Sequence, residues 1–125
     1  MSVMPEGFDV EAAAERLNRR RRARSKAAGE RRVRAQELAR RVAQELGAAL
    51  PEIQRIWGFG STFEEVRPYH LKSDIDLAFE GGAAWRLDKA LPRTEFDISL
   101  VDLSEQHPDF AAMVRSRGVV LYERS

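Results

Sequence analysis

The chain has 125 residues, enough for one domain with a single core. Its 43% hydrophobic and 33% charged residues are typical of a globular protein rather than a disordered one. No apolar run approaches the roughly 20 residues that span a bilayer, and the first residues lack the basic-then-apolar order of a secretory signal. Since there is no cysteine, disulfides, zinc–thiolate sites and a cysteine nucleophile are excluded, and we expect a cytoplasmic protein.

The net charge of +1 conceals two oppositely charged parts. Residues 16–41 contain twelve Arg or Lys and two Glu, a local charge of +10. The remaining residues carry nine basic and eighteen acidic groups, a charge of −9. The sequence therefore joins an arginine-rich segment to an acidic body, and each part needs its own explanation.

The beginning of the chain predicts a helical arm attached to a folded domain. We expect a flexible tail over residues 1–8, an arginine-rich helical arm over 9–33 and the domain over 34–125. Asp9 is a candidate N-cap for the arm. Gly29 either breaks this helix or only weakens it, because glycine is a poor helix former.

Beyond the arm, helix and strand patterns alternate. Apolar residues at three- and four-residue steps predict a helix from Glu30 to Leu50 that ends at Gly47 or at Pro51. Four strands are predicted, at Ile53–Phe59, Lys72–Phe79, Thr94–Leu103 and 119–123, with helices at Ala83–Leu91 and from Pro108. This order predicts an α+β (mixed α-β) domain with one mixed sheet and helices on one face.

The strand at 72–79 carries two carboxylates. Residues two apart on a strand point to the same side, so Asp74 and Asp76 share one face. Two like charges repel unless a cation lies between them, and magnesium prefers carboxylate oxygens. The pair alone could be a solvated sheet face, but aspartate is a poor strand former, which favours a ligand. Asp97 on the next strand is the candidate third carboxylate, because alternation places Asp102 on the opposite face.

Gly60 and Ser61 end the first predicted strand. Glycine permits a tight turn and the close approach of a phosphate, and a serine hydroxyl and amide can donate to phosphate oxygens. A lone Gly-Ser pair carries no information. A Gly-Ser pair at a strand end, followed by Asp-x-Asp and by a third aspartate on a later strand, is a specific combination.

With the stretches "GFGS…SDIDLAFEG", "FDISLVDL" and "RGVVLYE", residues 34–124 resemble the minimal nucleotidyltransferases of the DNA polymerase beta superfamily. The resemblance implies the polymerase-beta-like nucleotidyltransferase fold and an enzyme that transfers a nucleoside monophosphate from ATP or another triphosphate. It implies that Gly60 and Ser61 bind the triphosphate. The catalytic residues, which would also hold two magnesium ions, are then Asp74, Asp76 and Asp97.

Small members of this family commonly resemble antitoxins paired with a helical HEPN-domain toxin. The resemblance thus implies such a toxin as partner and, as in a protein adenylyltransferase, a protein acceptor for AMP. In this chain twelve residues separate Ser61 from Asp74, and the arginine and glycine that usually follow the serine are absent. Arg67 and Lys72 are the candidates to supply positive charge to the triphosphate instead.

Three interpretations of the arginine arm stay open. It could contact nucleic acid through Arg16–Arg34, form salt bridges to the acidic body, to an acidic partner or to a second copy of the chain, or be a solvated helix. The absence of aromatic residues from 9–50 argues against stacking on single-stranded bases. Two other functions also stay open: a non-catalytic module that neutralises its partner by complex formation, and an RNA-directed nucleotidyltransferase that uses the arm.

Overall fold

The computed structural model describes residues 9–64, 69, 70 and 73–125, so the predicted tail at 1–8 lies outside it. The elements in chain order are α1 (Val10–Ala49), β1 (Arg55–Phe59), β2 (Ile75–Glu80), α2 (Ala84–Ala90), β3 (Ile98–Asp102), α3 (Pro108–Arg117) and β4 (Val119–Glu123), with short 3-10 turns at Gly60–Thr62 and Leu103–Glu105. None of the described helices combines the length and the apolar character needed to cross a bilayer.

The strands form one sheet in the order β3-β2-β1-β4. β1 is antiparallel to both β2 and β4, whereas β2 and β3 are parallel. The parallel pair requires a crossover connection, which α2 provides. The predicted α+β class and the mixed sheet are confirmed.

α1 is a single helix of 40 residues that runs through Gly29 and across residue 33 without a break. Asp9 caps it as predicted, since its Oδ1 accepts the N–H of Ala12 at 3.2 Å. A glycine inside a helix costs roughly 1 kcal/mol relative to alanine. The Ala- and Arg-rich sequence around Gly29 offsets that cost because both are strong helix formers.

The C-terminal end of α1 is held by a side chain from the end of the chain. The guanidinium of Arg124 donates to the carbonyls of Gly47 at 2.7 Å, Leu50 at 3.2 Å and Ile53 at 2.9 Å. One of our two expectations, that the helix ends at Gly47, is wrong, because α1 continues to Ala49. A Cβ at that position would overlap the ring of Tyr122, so the glycine serves the close packing of α1 on β4.

The helices cover both faces of the sheet, which corrects the prediction of a single covered face. Ile56 and Leu77 belong to the core that packs against α1 and α2. Their neighbours Trp57 and Ala78 point to the other face and belong to the core that packs against α3. Successive apolar residues, rather than strict alternation, mark strands buried on both sides, and β1 and β2 have this pattern.

Candidate nucleotide and metal site

The two aspartates of the predicted pair lie at the starting end of β2. Asp74 immediately precedes the strand and is exposed, while Asp76 lies within it and is half-buried. Ile75 between them is fully buried in the core under α1. Asp76 pairs with Phe59 of β1, whose ring contacts α3, so its side chain emerges on the α3 face of the sheet.

Gly60 lies directly against Asp76. Its φ of +72° falls in the left-handed region that favours glycine. A Cβ at this position would come within 2.6 Å of the Asp76 Oδ2, so a side chain here would require this carboxylate to move. The turn at Gly60–Thr62, hereafter the glycine turn, is closed by N–H donation from Phe63 and Glu64 to the Gly60 carbonyl at 3.1 and 2.8 Å.

The glycine turn is anchored by Thr62, a residue that the sequence did not single out. Thr62 is fully buried, and its Oγ1 donates to the Asp74 carbonyl at 3.1 Å. Its own carbonyl accepts the Nε2 of Gln36 from α1 at 2.8 Å. These two bonds fix the turn between α1 and the start of β2. The sequence offered no signal for them beyond the place of the threonine directly after the Gly-Ser pair.

The predicted third carboxylate occupies the position beside Asp74, not beside Asp76. The Asp97 carbonyl accepts the N–H of Ile75 at 2.9 Å, and the parallel register then pairs Ser99 with Asp76. Among the described residues, no three Asp, Glu, His or Cys side chains gather into a group able to hold a metal ion. Asp97 therefore does not form a compact three-carboxylate cluster with the pair, because the position opposite the inner aspartate is a serine.

Asp102 has a structural role of its own. It pairs with Phe79, which is buried in the core under α1, as expected from its placement on the face opposite Asp97. Its Oδ1 accepts the N–H of Ser104 at 3.0 Å and the hydroxyl of Ser104 at 2.7 Å. The carboxylate thus caps the 3-10 turn that follows β3.

The connection between the glycine turn and β2 is described only in part. Arg67 and Lys72, the predicted positive charges for a triphosphate, lie outside the described residues, so their role stays a prediction. His70 is exposed, and its N–H donates to Ser73 Oγ at 3.0 Å. The Ser73 N–H in turn donates to the His70 carbonyl at 3.0 Å.

No protein-family model matches the chain, and no curated protein matches it significantly. Solved structures do. A toxin–antitoxin with AMP-PNP is 26% identical over 69% of this chain and 74% of its own, with a TM-score of 0.56. A presumed nucleotidyltransferase from Sulfolobus solfataricus is 22% identical over 78% of this chain and 88% of its own, with a TM-score of 0.56. The toxin–antitoxin MntA-HepT is 24% identical over 70% and 73%, with a TM-score of 0.51.

Proposed function

We propose that the chain is a minimal nucleotidyltransferase-type antitoxin that transfers AMP from ATP to a partner toxin, a proposal supported by its similarity to a solved toxin–antitoxin with AMP-PNP. The toxin is of the HEPN type, and a residue of that protein is the acceptor. The observation that carries the proposal is the contact between Gly60 and Asp76, which sets a backbone turn beside a carboxylate at a strand end. One of the similar structures is a toxin–antitoxin with AMP-PNP, which supports an adenine nucleotide as the donor.

The residues at this corner divide into two sets by chemistry. Gly60 and Ser61 offer a backbone without steric hindrance and a hydroxyl donor, which suit the oxygens of a triphosphate. Asp74 and Asp76 offer the hard oxygen ligands that magnesium prefers. Magnesium, when bound, supplies charge neutralisation at the phosphates.

Asp74 and Asp76 suit a magnesium site with two protein carboxylates, and Asp97 lies beside that site. Magnesium binds through one or two carboxylates and completes its shell with water and substrate phosphates, so a compact cage of protein ligands is not required. In the proposal Asp97, beside this two-carboxylate site, is the base that accepts the proton of the acceptor hydroxyl. Asp97 immediately precedes β3, and its carbonyl accepts the N–H of Ile75, the residue after Asp74.

A second candidate function is neutralisation of the toxin by complex formation alone. The pairing of Ser99 with Asp76 favours it, because a serine stands where a further carboxylate would strengthen the metal site. A non-catalytic module of this kind needs the fold and a complementary surface but no magnesium-dependent nucleotide binding.

The decisive experiment incubates the protein with ATP labelled at the α-phosphate, magnesium and a candidate HEPN toxin. We expect label on the toxin with the wild-type protein and a loss of at least about 100-fold in rate with Asp76→Asn. Asp88→Asn is the matched control, since Asp88 is exposed on α2, outside the proposed site, and should leave the rate unchanged. A tight complex without any transfer would instead establish the second candidate, and equal rates for both variants would reject the assigned site.

A further inference from the structure

The basic residues of α1 fall into two groups with different surroundings. The five from Arg31 onward each have a partner, and three of them show how α1 is fastened to the body. Arg31 lies over the ring of Phe96 at 4.1 Å and Arg32 over the ring of Tyr69 at 5.1 Å. Arg34 Nε lies 3.4 Å from an oxygen of Glu95. These cation–π contacts and this ion pair fasten α1 to the body, so the inner arginines have a structural role.

Residues 14–26, hereafter the outer arm, have no such role. Every residue of the outer arm is exposed, and the first buried residue of α1 is Ala35. Its cations are Arg16, Arg19, Arg20, Arg21, Arg22, Arg24 and Lys26. Within the described part of the chain none of these seven forms an ion pair. With a rise of 1.5 Å per residue, residues 10–26 form about 25 Å of helix that contains no buried residue.

The arrangement of these charges restricts what can bind. At about 100° per residue the seven cations point to every side of the helix. A flat protein surface meets only one side of a helix, and the outer arm has no apolar stripe with which to bury against one. Like charges also recur at four-residue spacing, as at Arg16, Arg20 and Arg24, and such pairs destabilise an isolated helix. A partner that surrounds the helix with negative charge would relieve this repulsion.

We propose that the outer arm binds duplex DNA by lying in its major groove and contacting phosphates on both walls. A helix with its side chains is about 10–12 Å across, and the major groove of B-DNA is about 12 Å wide. Phosphates line both edges of that groove, so cations on opposite sides of one helix can be neutralised together. The deep, narrow major groove of duplex RNA does not admit a helix in this way. This binding is independent of the nucleotidyl transfer proposed above.

The test uses the full-length protein and a fluorescent 20-base-pair DNA duplex in anisotropy titrations at several salt concentrations. With about six phosphate contacts, the affinity should fall about 10³-fold between 50 and 200 mM salt. The variant Arg20→Gln/Arg21→Gln/Arg22→Gln should reduce the slope of log K against log salt by about 2.7. The control Lys89→Gln/Arg93→Gln/Arg117→Gln removes the same charge from exposed positions on the body and should keep the full slope.

Circular dichroism provides an independent readout. DNA should raise the temperature at which the wild-type protein loses helical signal, since bound phosphates remove the repulsion along the arm. Melting temperatures of both triple variants should match that of the wild type, which excludes misfolding as the cause of lost binding. Tighter binding of duplex or single-stranded RNA than of DNA would overturn the proposal. So would an unchanged slope in the arm variant, or binding of an acidic protein without any binding of nucleic acid.

Discussion

Gly60 leaves room for the Asp76 carboxylate because it has no side chain, and this contact can be tested with a single methyl group. In Gly60→Ala the new Cβ would lie within 2.6 Å of Asp76 Oδ2, and an alanine at φ +72° costs about 1–2 kcal/mol. The new methyl group should displace the Asp76 carboxylate. We expect the affinity for ATP with magnesium to fall at least about tenfold, which corresponds to about 1.4 kcal/mol or more of binding free energy. Isothermal titration calorimetry measures the affinity.

Gly29→Ala is the matched control for that substitution. Gly29 lies inside α1, and no side chain or neighbouring segment comes within 4 Å of the position that a Cβ would take, so alanine fits without strain. We expect unchanged nucleotide affinity and a gain of up to about 1 kcal/mol in the free energy of unfolding. If Gly60→Ala binds nucleotide as well as Gly29→Ala does, the contact with Asp76 does not belong to a nucleotide site.

Ser99 marks the position at which a further carboxylate would face Asp76. In Ser99→Asp, like charges on neighbouring strands should lower the melting temperature without metal, because directly opposed like charges destabilise a sheet. Magnesium should restore it and bind about tenfold more tightly than to the wild type, a gain of about 1.4 kcal/mol. Thermal scans with and without magnesium measure both effects; a melting temperature that magnesium does not raise would show that position 99 does not face the ion.

Single residues were predictable from the sequence where a local rule fixes them. The cap at Asp9, the turn at Gly60 and the alternation around Ile75 each follow from the chemistry of a few neighbouring positions. The relation of Asp97 to Asp76 depends instead on the register between β2 and β3. Register in a parallel pair is set by packing across the whole sheet, so a shift of two residues leaves no trace in the local pattern.

At the level of elements, the end of α1 depends on a residue 74 positions further along the chain from Leu50. Replacing Arg124 with methionine would keep its apolar stem but remove its bonds to the carbonyls of Gly47, Leu50 and Ile53. We expect Arg124→Met to lower the free energy of unfolding by about 2–3 kcal/mol, because part-buried carbonyls lose charged donors. Urea denaturation measures this loss.

Arg55→Met is the control for the end of the helix. Arg55 forms an exposed ion pair with Glu123, and pairs of this kind contribute about 1 kcal/mol or less. We therefore expect a small effect from this substitution. Equal losses from both variants would mean that the carbonyls at the end of α1 do not depend on Arg124.

The number and type of elements were largely predictable, while the layers were not. Each predicted strand and helix is present, with ends displaced by a few residues. The placement of helices on both faces was missed because the apolar doublet at Ile56 and Trp57 reads locally as one hydrophobic strand. Only the connection of β3 through α3 to β4 decides which face α3 covers.

For the whole molecule, we expect the body to fold without the outer arm. None of the described residues before Ala27 is buried, so they add no apolar burial to the core. A chain that begins at Ala27 should melt within about 3 °C of the full-length protein, which corresponds to less than about 1 kcal/mol. Differential scanning calorimetry measures the difference. A much lower melting temperature would mean that residues before Ala27 support the body.

The unbroken course of α1 joins distant parts of the molecule in one stiff rod. The outer arm lies near the N-terminal end of α1. Further along the same helix, the side-chain amide of Gln36 donates a hydrogen bond to the carbonyl of Thr62 in the glycine turn. Because the helix has no break, DNA bound to the outer arm would keep a constant orientation relative to the glycine turn at Gly60. A molecule that approaches the glycine turn would then do so from a direction fixed by the outer arm.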